Sequence, residues 1–195
     1  MSRLETDVRH HLEPMLLGKS VTLDTVQQSL LATWAYKTMA MAQFANSNIP
    51  PFPRRHLEHL YTFLEPPKNM NIWSAFWGGT VTHTLPMYDY GFYDSRVIDK
   101  DHPPEAVNIP YRYSATVRID KVAFQLVGID DDNAVNISPG FDHGFWGDSI
   151  VTVWPTHIDS ILWPPRFPVT VDGWMKFIQR FVGMLESNAS SHGRP

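Results

Sequence analysis

Histidine and carboxylate side chains lie close together in the glycine-rich segment from Gly140 to Asp148. Its three glycines let the backbone adopt conformations that other residues disfavour, and Asp142, His143 and Asp148 could supply groups for acid–base catalysis. Trp146 adds an aromatic surface for a ligand. The segment holds no recognisable nucleophile or set of metal ligands. We interpret it as a structural loop that is also the best local candidate for a ligand or partner contact.

Other histidines have a simpler structural explanation. His56 and His59 are three residues apart on a predicted helix, a separation at which two histidines can share a metal. Their spacing departs from the zinc-peptidase patterns, however, so we expect a solvated helix face. His83 alternates with Val81 and Leu85 on a predicted strand, which favours a core histidine and leaves a catalytic role as the alternative.

The acidic run from Asp130 to Asn133 matches the start of a calcium loop only in part. Ala134 stands where the third ligand of such a loop belongs. We therefore interpret the run as a hairpin turn, and we assign the chain neither a metal nor another cofactor.

Four arginines are the candidate contacts for nucleic acid or for a protein partner. Arg112 and Arg118 lie on the polar face of a predicted strand, and Arg54 and Arg55 lie at the start of a predicted helix. The net charge of -4 argues against a surface that is basic throughout. Non-specific binding to DNA depends on phosphate neutralisation by lysine and arginine, so only a local basic patch is compatible with this charge.

Length and composition favour a single soluble domain. A chain of 195 residues is expected to bury roughly 70% of its unfolded surface, enough for a full core. The absence of cysteine excludes disulfides, thiolate zinc sites and cysteine nucleophiles. The charged first residues argue against a secretory signal, and no apolar run approaches the ~20 residues that cross a bilayer. We expect a cytoplasmic location and no membrane contact.

Helical periodicity predicts three helices in the N-terminal third of the chain. The first ends near Glu13, because Pro14 cannot continue the helical hydrogen bonds. The second has Thr22 as its N-cap and extends to about Phe44, and Pro53 is the first residue of the third. The predicted apolar face of the third helix consists of Leu57, Leu60, Tyr61 and Leu64.

The pattern then changes to alternation, which is typical of strands. Residues 71–77 and 80–85 flank two glycines, an arrangement that predicts a hairpin. Tyr111–Asp120 alternates apolar and polar residues, and Val122–Ile129 follows as its antiparallel neighbour. Residues 150–154 form another predicted strand.

A final helix is predicted with the apolar residues Trp174, Phe177, Ile178, Phe181 and Leu185 on one face. Helices first, then strands, then one helix predict an α+β fold in which N-terminal helices pack on an antiparallel sheet. We expect one domain over residues 1–186, divided into a helical part (1–66), a sheet part (67–168) and the C-terminal helix (169–186). Residues 187–195 are polar and predicted to form a disordered tail.

The beginning of the chain has a distinctive series of residues: Met1-Ser2-Arg3-Leu4-Glu5, Pro14, Leu17-Gly18, Gln28, Leu31-Ala32-Thr33-Trp34-Ala35 and Lys37-Thr38. In these residues, and more loosely at Ile49-Pro50-Pro51, Pro66-Pro67 and Trp163-Pro164-Pro165, the chain resembles a group of bacterial proteins known as HNH-endonuclease-like. In that group a zinc/HNH-like segment with cysteines ends in C-N-x-G-W-M immediately before S-R-L-E, and Met1 matches the last residue of that pattern. This chain lacks both the cysteines and the HNH motif, so the resemblance assigns no catalytic residue here. It implies an accessory region that follows a small nuclease-like module, in a phage or mobile-element setting.

These observations support two main hypotheses about function. The first is a non-catalytic accessory or interaction domain that contacts a protein partner or nucleic acid, with exposed aromatic side chains as one means of binding a partner. The alternative is a small hydrolase or ligand-binding protein that uses the Gly140–Asp148 loop together with His83 or His157. No complete catalytic constellation is recognisable, which favours the first hypothesis. The oligomeric state is left open.

Overall fold

The computed structural model describes residues 3–45, 52–78, 87–93, 111–130 and 147–179. The described elements, in chain order, are α1 (Arg3–Leu16), β1 (Val21–Asp24), α2 (Thr25–Ala45), α3 (Arg54–Phe63), β2 (Met70–Phe76), β3 (Met87–Tyr93), β4 (Tyr111–Ile119), β5 (Val122–Asp130), β6 (Ile150–Trp154), β7 (Ser160–Trp163) and α4 over residues 171–179. Helices precede an antiparallel sheet and a helix follows it, so the predicted α+β class is confirmed. Residues 80–85 and the predicted tail at 187–195 lie outside the described residues.

The main sheet has five strands in the order β3-β4-β5-β2-β6, and all its pairings are antiparallel. The predicted β4–β5 hairpin is confirmed, and it turns at Asp120, whose φ is 49°. The hairpin predicted between residues 71–77 and 80–85 is wrong. Both edges of β2 are hydrogen-bonded to other strands, one edge to β5 and the other to β6. A separate two-stranded ribbon joins β1 to β7.

The sheet is covered on both faces. Alternate residues of β4 and β5, such as Val117 and Phe124, belong to the large core formed with α1, α2 and Phe52. On the opposite face, Trp174 and Phe177 of α4 pack against Trp73 of β2 in a second core. Large aromatic side chains therefore contribute to both cores, as the seven tryptophans of the chain suggest.

Burial on both faces changes the interpretation of the polar face of β4. Ser114 and Thr116 are buried there together with Gln125 of β5. The Thr116 hydroxyl donates to Gln125 Oε1, and Gln125 Nε2 donates to Ser114 Oγ at 3.0 Å. Buried polar groups are tolerated when they bond to one another. The centre of this strand face is therefore a buried hydrogen-bonded cluster rather than a contact surface.

The N-terminal helices differ from the prediction at their ends. α1 continues through Pro14 to Leu16, and this last turn contains Met15, which is completely buried in the core. The second helix begins after β1, with Asp24 as its cap instead of Thr22. Asp24 Oδ1 accepts the Gln27 N–H at 2.8 Å, and Gln27 Oε1 accepts the Asp24 N–H at 2.9 Å, which forms a reciprocal capping box. Within the described ranges, no helix is long and apolar enough to cross a membrane.

The last helix agrees with the prediction over the part that the structure describes. Trp174, Phe177 and Ile178, which the helical spacing assigns to one apolar face, are all buried. Phe181 and Leu185 lie outside the described residues.

Candidate functional site

Helix α3 is held to the sheet by two successive polar residues at its N-terminal end. Arg55 forms an ion pair with Asp130 at the end of β5. His56 is buried, its Nδ1 is hydrogen-bonded to the Tyr113 hydroxyl of β4, and its Nε2 lies 3.7 Å from Asp130 Oδ1. The expectation that His56 is on a solvated face is therefore wrong. Its spacing to Leu57 and Leu60, which pack against the core, was the available signal for its burial.

Aromatic packing fixes the Tyr113 ring that receives His56. The Phe52 ring lies 5.0 Å from the Tyr113 ring and 5.7 Å from the Tyr36 ring, measured between centroids. On the neighbouring strand, Gly128 is paired with Tyr113, and a Cβ at this glycine would overlap the tyrosine ring. The glycine is thus required by the close approach of the ring.

The Tyr36 hydroxyl lies in the same region of the core. Burial raises its pKa well above the ordinary tyrosine value of 10.0, and the adjacent Tyr113 side chain lowers it by less. Tyr36 is thus neutral over the physiological pH range. The inner side of α3 is a closely packed attachment to α2 and the sheet rather than an open catalytic cleft.

The opposite end of α3 exposes large apolar side chains. Tyr61 is 88%, Phe63 62% and Leu64 70% exposed, and we call these three residues the α3 patch. The prediction that Tyr61 and Leu64 face the core is wrong, because His56, Leu57 and Leu60 occupy the inner positions. Large apolar side chains exposed close together along the chain are a feature of interaction sites in many proteins.

Leu64 adopts a backbone conformation that is unfavourable for leucine. It caps α3 in the left-handed region, with φ 55° and ψ 36°, where glycine or asparagine is usual. Its N–H donates to Leu60 O at 2.9 Å, and its carbonyl oxygen lies 3.0 Å from the hydroxyl of Thr33 on α2. These two hydrogen bonds hold the backbone of Leu64 in this conformation.

Ionisable groups surround the α3 patch. The His59 ring lies 4.7 Å from the Phe63 ring, and His59 Nε2 lies 3.9 Å from Glu65 Oε1. Glu58 on the same helix accepts a hydrogen bond from Arg54 Nε at 2.8 Å, which compensates its charge. Glu65 thus adds a second carboxylate near the exposed end of α3.

The four candidate arginines are not brought together. Arg54 and Arg55 lie on α3, and each is ion-paired with a carboxylate. Arg118 lies on the other face of the sheet, with its guanidinium carbon 4.8 Å from the centroid of the Trp77 ring. The backbone of Arg112, near the start of β4, pairs with Ile129. From the rise per residue of an extended strand, Arg112 lies about 20 Å from Arg118 along β4. Its side chain lies outside the described residues.

Most of the glycine-rich segment also falls outside the described residues. His83, Asp142, His143 and Trp146 are therefore not placed. Asp148 is exposed, and its carbonyl oxygen accepts the Phe167 N–H at 2.9 Å. Within the described ranges, no group of three or more histidine, aspartate or glutamate side chains could hold a metal ion.

A groove of about 270 Å³ lies along α1 in the described part of the chain. Trp34 of α2 and three apolar residues of α1 line it together with Glu5, Arg9 and Glu13. Arg9 is paired with Glu13 at 3.3 Å, and Glu5 is paired with a lysine of α2. The charges of the groove are compensated, so it provides apolar surface but little to orient a polar ligand.

Fold and surface together define an α+β domain that presents an apolar patch on a helix anchored to its sheet. Comparisons of the chain with models of protein families, with curated proteins and with solved structures find no match. Its function is therefore inferred from its own residues.

Proposed function

We propose that the protein is an accessory interaction domain that binds a protein partner through the α3 patch. The observation that carries this proposal is the exposure of Tyr61, Phe63 and Leu64 within four consecutive positions. Tyrosine and phenylalanine are enriched at protein interfaces because they bury a large area and lose little side-chain entropy. Exposing three large apolar side chains in the last turn and cap of one helix is unfavourable in water unless a partner covers them.

The attachment of α3 supports the proposal. Arg55 and His56 fix one end of the helix to β5 and β4, and Thr33 contacts the other end through Leu64. A surface held in one conformation before binding loses less entropy when the partner arrives. The left-handed conformation of Leu64 also supports the proposal. Strained residues persist where the surrounding structure enforces them, and they concentrate at binding sites.

A protein partner is favoured over nucleic acid by the placement of the charges. Arg54 and Arg55 are paired with carboxylates, and the middle of the polar face of β4 is buried. The net charge of -4 opposes a polyanion, whose binding depends on phosphate neutralisation.

The resemblance to HNH-endonuclease-like proteins is compatible with this role. It implies an accessory region beside a nuclease-like module, and such a region requires a surface for a second protein. The proposal itself rests on the exposed side chains and does not require that relationship.

The proposal is tested by co-purification from native cells with matched variants. Tyr61→Ser/Phe63→Ser removes the aromatic surface, whereas Leu17→Ser/Val171→Ser removes two side chains that are each 58% exposed elsewhere. We expect one stoichiometric protein to accompany the wild type and the control, and its yield to fall at least tenfold with the patch variant. The two purified proteins should reproduce the difference. Equal recovery with both variants, or no stoichiometric protein, would contradict the proposal.

A further inference from the structure

We propose that β3 pairs with β3 of a second copy of the chain, so that the two main sheets join into one antiparallel sheet with five strands from each copy. The α3 patch takes no part in this contact. Three features carry the proposal: the position of β3 in the sheet, the composition of the strand, and the match of the strand with itself.

β3 is an edge strand. It stands first in the order β3-β4-β5-β2-β6, so among the described strands it has a neighbour on one edge only. It pairs with β4 without a register shift along its whole length, from Met87 with Arg118 to Tyr93 with Arg112. Successive residues of an antiparallel strand direct their N–H and C=O groups to opposite edges. About half of the backbone groups of β3 therefore lie on its outer edge, the edge away from β4.

The composition of β3 distinguishes it from β6, the strand at the other end of the sheet. β6 has five residues, its pairing with β2 shifts register between Ile72 and Trp73, and Pro155 follows it directly. Short length, irregular pairing and proline are means by which proteins protect sheet edges. The β3 sequence, MYDYGFY, contains no proline and no lysine, and its one charged residue is Asp89. A long, regular and largely apolar edge strand of this kind is expected to be covered by another strand.

The strand is complementary to itself. Its central residue is Tyr90, and a twofold axis at Tyr90 pairs every residue of β3 with a residue of β3 in the second copy. Tyr88 is then opposite Phe92 of the second copy, and Tyr90 is opposite Tyr90 of the second copy. Cross-strand aromatic pairs stabilise a sheet. The register also forms about six to eight backbone hydrogen bonds between the copies.

The same register keeps the charged residues of the two strands from meeting directly. Asp89 is opposite Gly91 of the second copy, and the two Asp89 residues are diagonal neighbours about 7–8 Å apart. An axis at Asp89 would place the two carboxylates directly opposite each other, which is destabilising. An axis at Gly91 would leave Met87 and Tyr88 opposite residues beyond the end of the strand. Strand length, aromatic pairing and charge therefore agree on one register, and that register favours a second copy over an unrelated strand.

A charge pair at position 91 tests the contact in the full-length chain. Gly91→Asp places a carboxylate opposite Asp89 of the second copy, whereas Gly91→Lys places an ammonium group there. Sedimentation from about 0.2 to 200 μM measures the dimer Kd. We expect a wild-type dimer, a weaker dimer with Gly91→Asp and a tighter one with Gly91→Lys. The two variants should differ by about tenfold, because each dimer contains the contact twice.

The matched control is Thr22→Asp, which adds the same charge at an exposed strand position of β1. It should leave the dimer Kd unchanged. A chain that remains monomeric at the highest concentration would overturn the proposal. So would equal effects of Gly91→Asp and Gly91→Lys, or a dimer that Tyr61→Ser/Phe63→Ser abolishes while Gly91→Asp leaves it intact, since that dimer would form through the α3 patch.

Hydrogen exchange of the wild type tests the pairing without a substitution in β3. Amides in residues 87–93 are compared between the dimer and the monomer obtained by dilution, or Thr22→Asp and Gly91→Asp are compared where the dimer persists on dilution. We expect exchange in β3 to be at least about tenfold slower in the dimer, and exchange in α1 to be unchanged. Protection of β3 that is equal in monomer and dimer would show that its outer edge is covered within one chain, and it would overturn the proposal.

Discussion

Tyr36 places a hydroxyl group inside the core beside Phe52 and Tyr113. Its raised pKa links its protonation to folding: above pH 10 the unfolded chain releases the tyrosine proton, whereas the folded chain retains it. The unfolded state then binds fewer protons, so the free energy of unfolding falls as the pH rises. One proton contributes at most about 1.4 kcal/mol per pH unit.

We therefore expect Tyr36→Phe to flatten the decline in stability above pH 10. Urea unfolding of the wild type and of the variant, at pH 8 and then in steps above pH 10, measures this directly. The difference between the two free energies should be constant below pH 9 and should shift in favour of the variant above pH 10. A difference that is constant through pH 11 would show that Tyr36 does not cause the decline.

Leu64 combines an unfavourable backbone conformation with an exposed side chain. The left-handed region costs a non-glycine residue about 1–2 kcal/mol, and an exposed side chain contributes little packing in return. We expect Leu64→Gly to stabilise the protein by about 0.5–1 kcal/mol in thermal or urea unfolding. Leu64→Ala keeps the strain and removes the same apolar surface, so it should not stabilise.

The same glycine variant should bind the partner more weakly than the wild type, since it lacks a side chain of the α3 patch. A gain in stability together with a loss of binding would indicate that the leucine is retained for contact. A loss of stability in Leu64→Gly would show that the leucine side chain contributes more to folding than its exposure suggests.

At the level of elements, the contact of Tyr113 with Gly128 links β4 and β5 beneath α3. Gly128→Ala places a methyl group where the tyrosine ring lies, and forced overpacking typically costs about 1–3 kcal/mol. In a Tyr113→Ala background the same substitution should cost less than about 0.5 kcal/mol, because the ring is gone and alanine suits a strand better than glycine. A double-mutant cycle by urea unfolding measures the coupling. Additive effects would contradict the contact.

Elements with a local sequence pattern are predicted correctly from the sequence. The prediction fails where residues far apart in the sequence determine which strands pair. The β4–β5 pair is recognisable because alternation continues through two adjacent strands joined by a short turn. The strands that pair with β2 cannot be recognised in this way. β5 and β6 lie far along the chain from β2, and neither local spacing nor turn residues specify their pairing with it. The glycine pair after β2 therefore predicts a hairpin partner for a strand whose two edges are paired with β5 and β6.

Prediction of the candidate site fails for a related reason. Helical spacing selects an inner face for α3 that includes both Leu60 and Tyr61, but in the structure only Leu60 packs against the core. The burial of His56 depends on Tyr113, which is 57 residues away in the sequence. The left-handed C-cap of α3 at Leu64 is not a glycine, so the sequence does not indicate it. The α3 patch could thus be recognised only once the neighbours of the helix were known.

At the scale of the whole molecule, several cationic side chains of the described residues are paired with carboxylates. Arg54, Arg55 and Arg9 each have a carboxylate partner, and Arg118 lies against the Trp77 ring on the opposite side of the sheet from α3. A polyanion such as DNA needs several cations on one surface at similar distances. The candidate arginines whose side chains the structure describes provide no such surface.

We therefore expect no measurable binding of a 25-base-pair DNA duplex at 150 mM salt, and at most weak binding at 20 mM salt. Fluorescence anisotropy over a salt series checks this, because the slope of log K against log salt counts the phosphates that are neutralised. A slope near zero or an absent signal agrees with the paired charges. Binding with a steep slope that Arg112→Gln or Arg118→Gln reduces by about one unit would show that β4 contacts phosphate, and it would make nucleic acid the partner. Arg118 lies on the sheet face away from α3. Tyr61→Ser/Phe63→Ser should therefore not affect binding through Arg118, so the same duplex and variants separate the two interaction hypotheses.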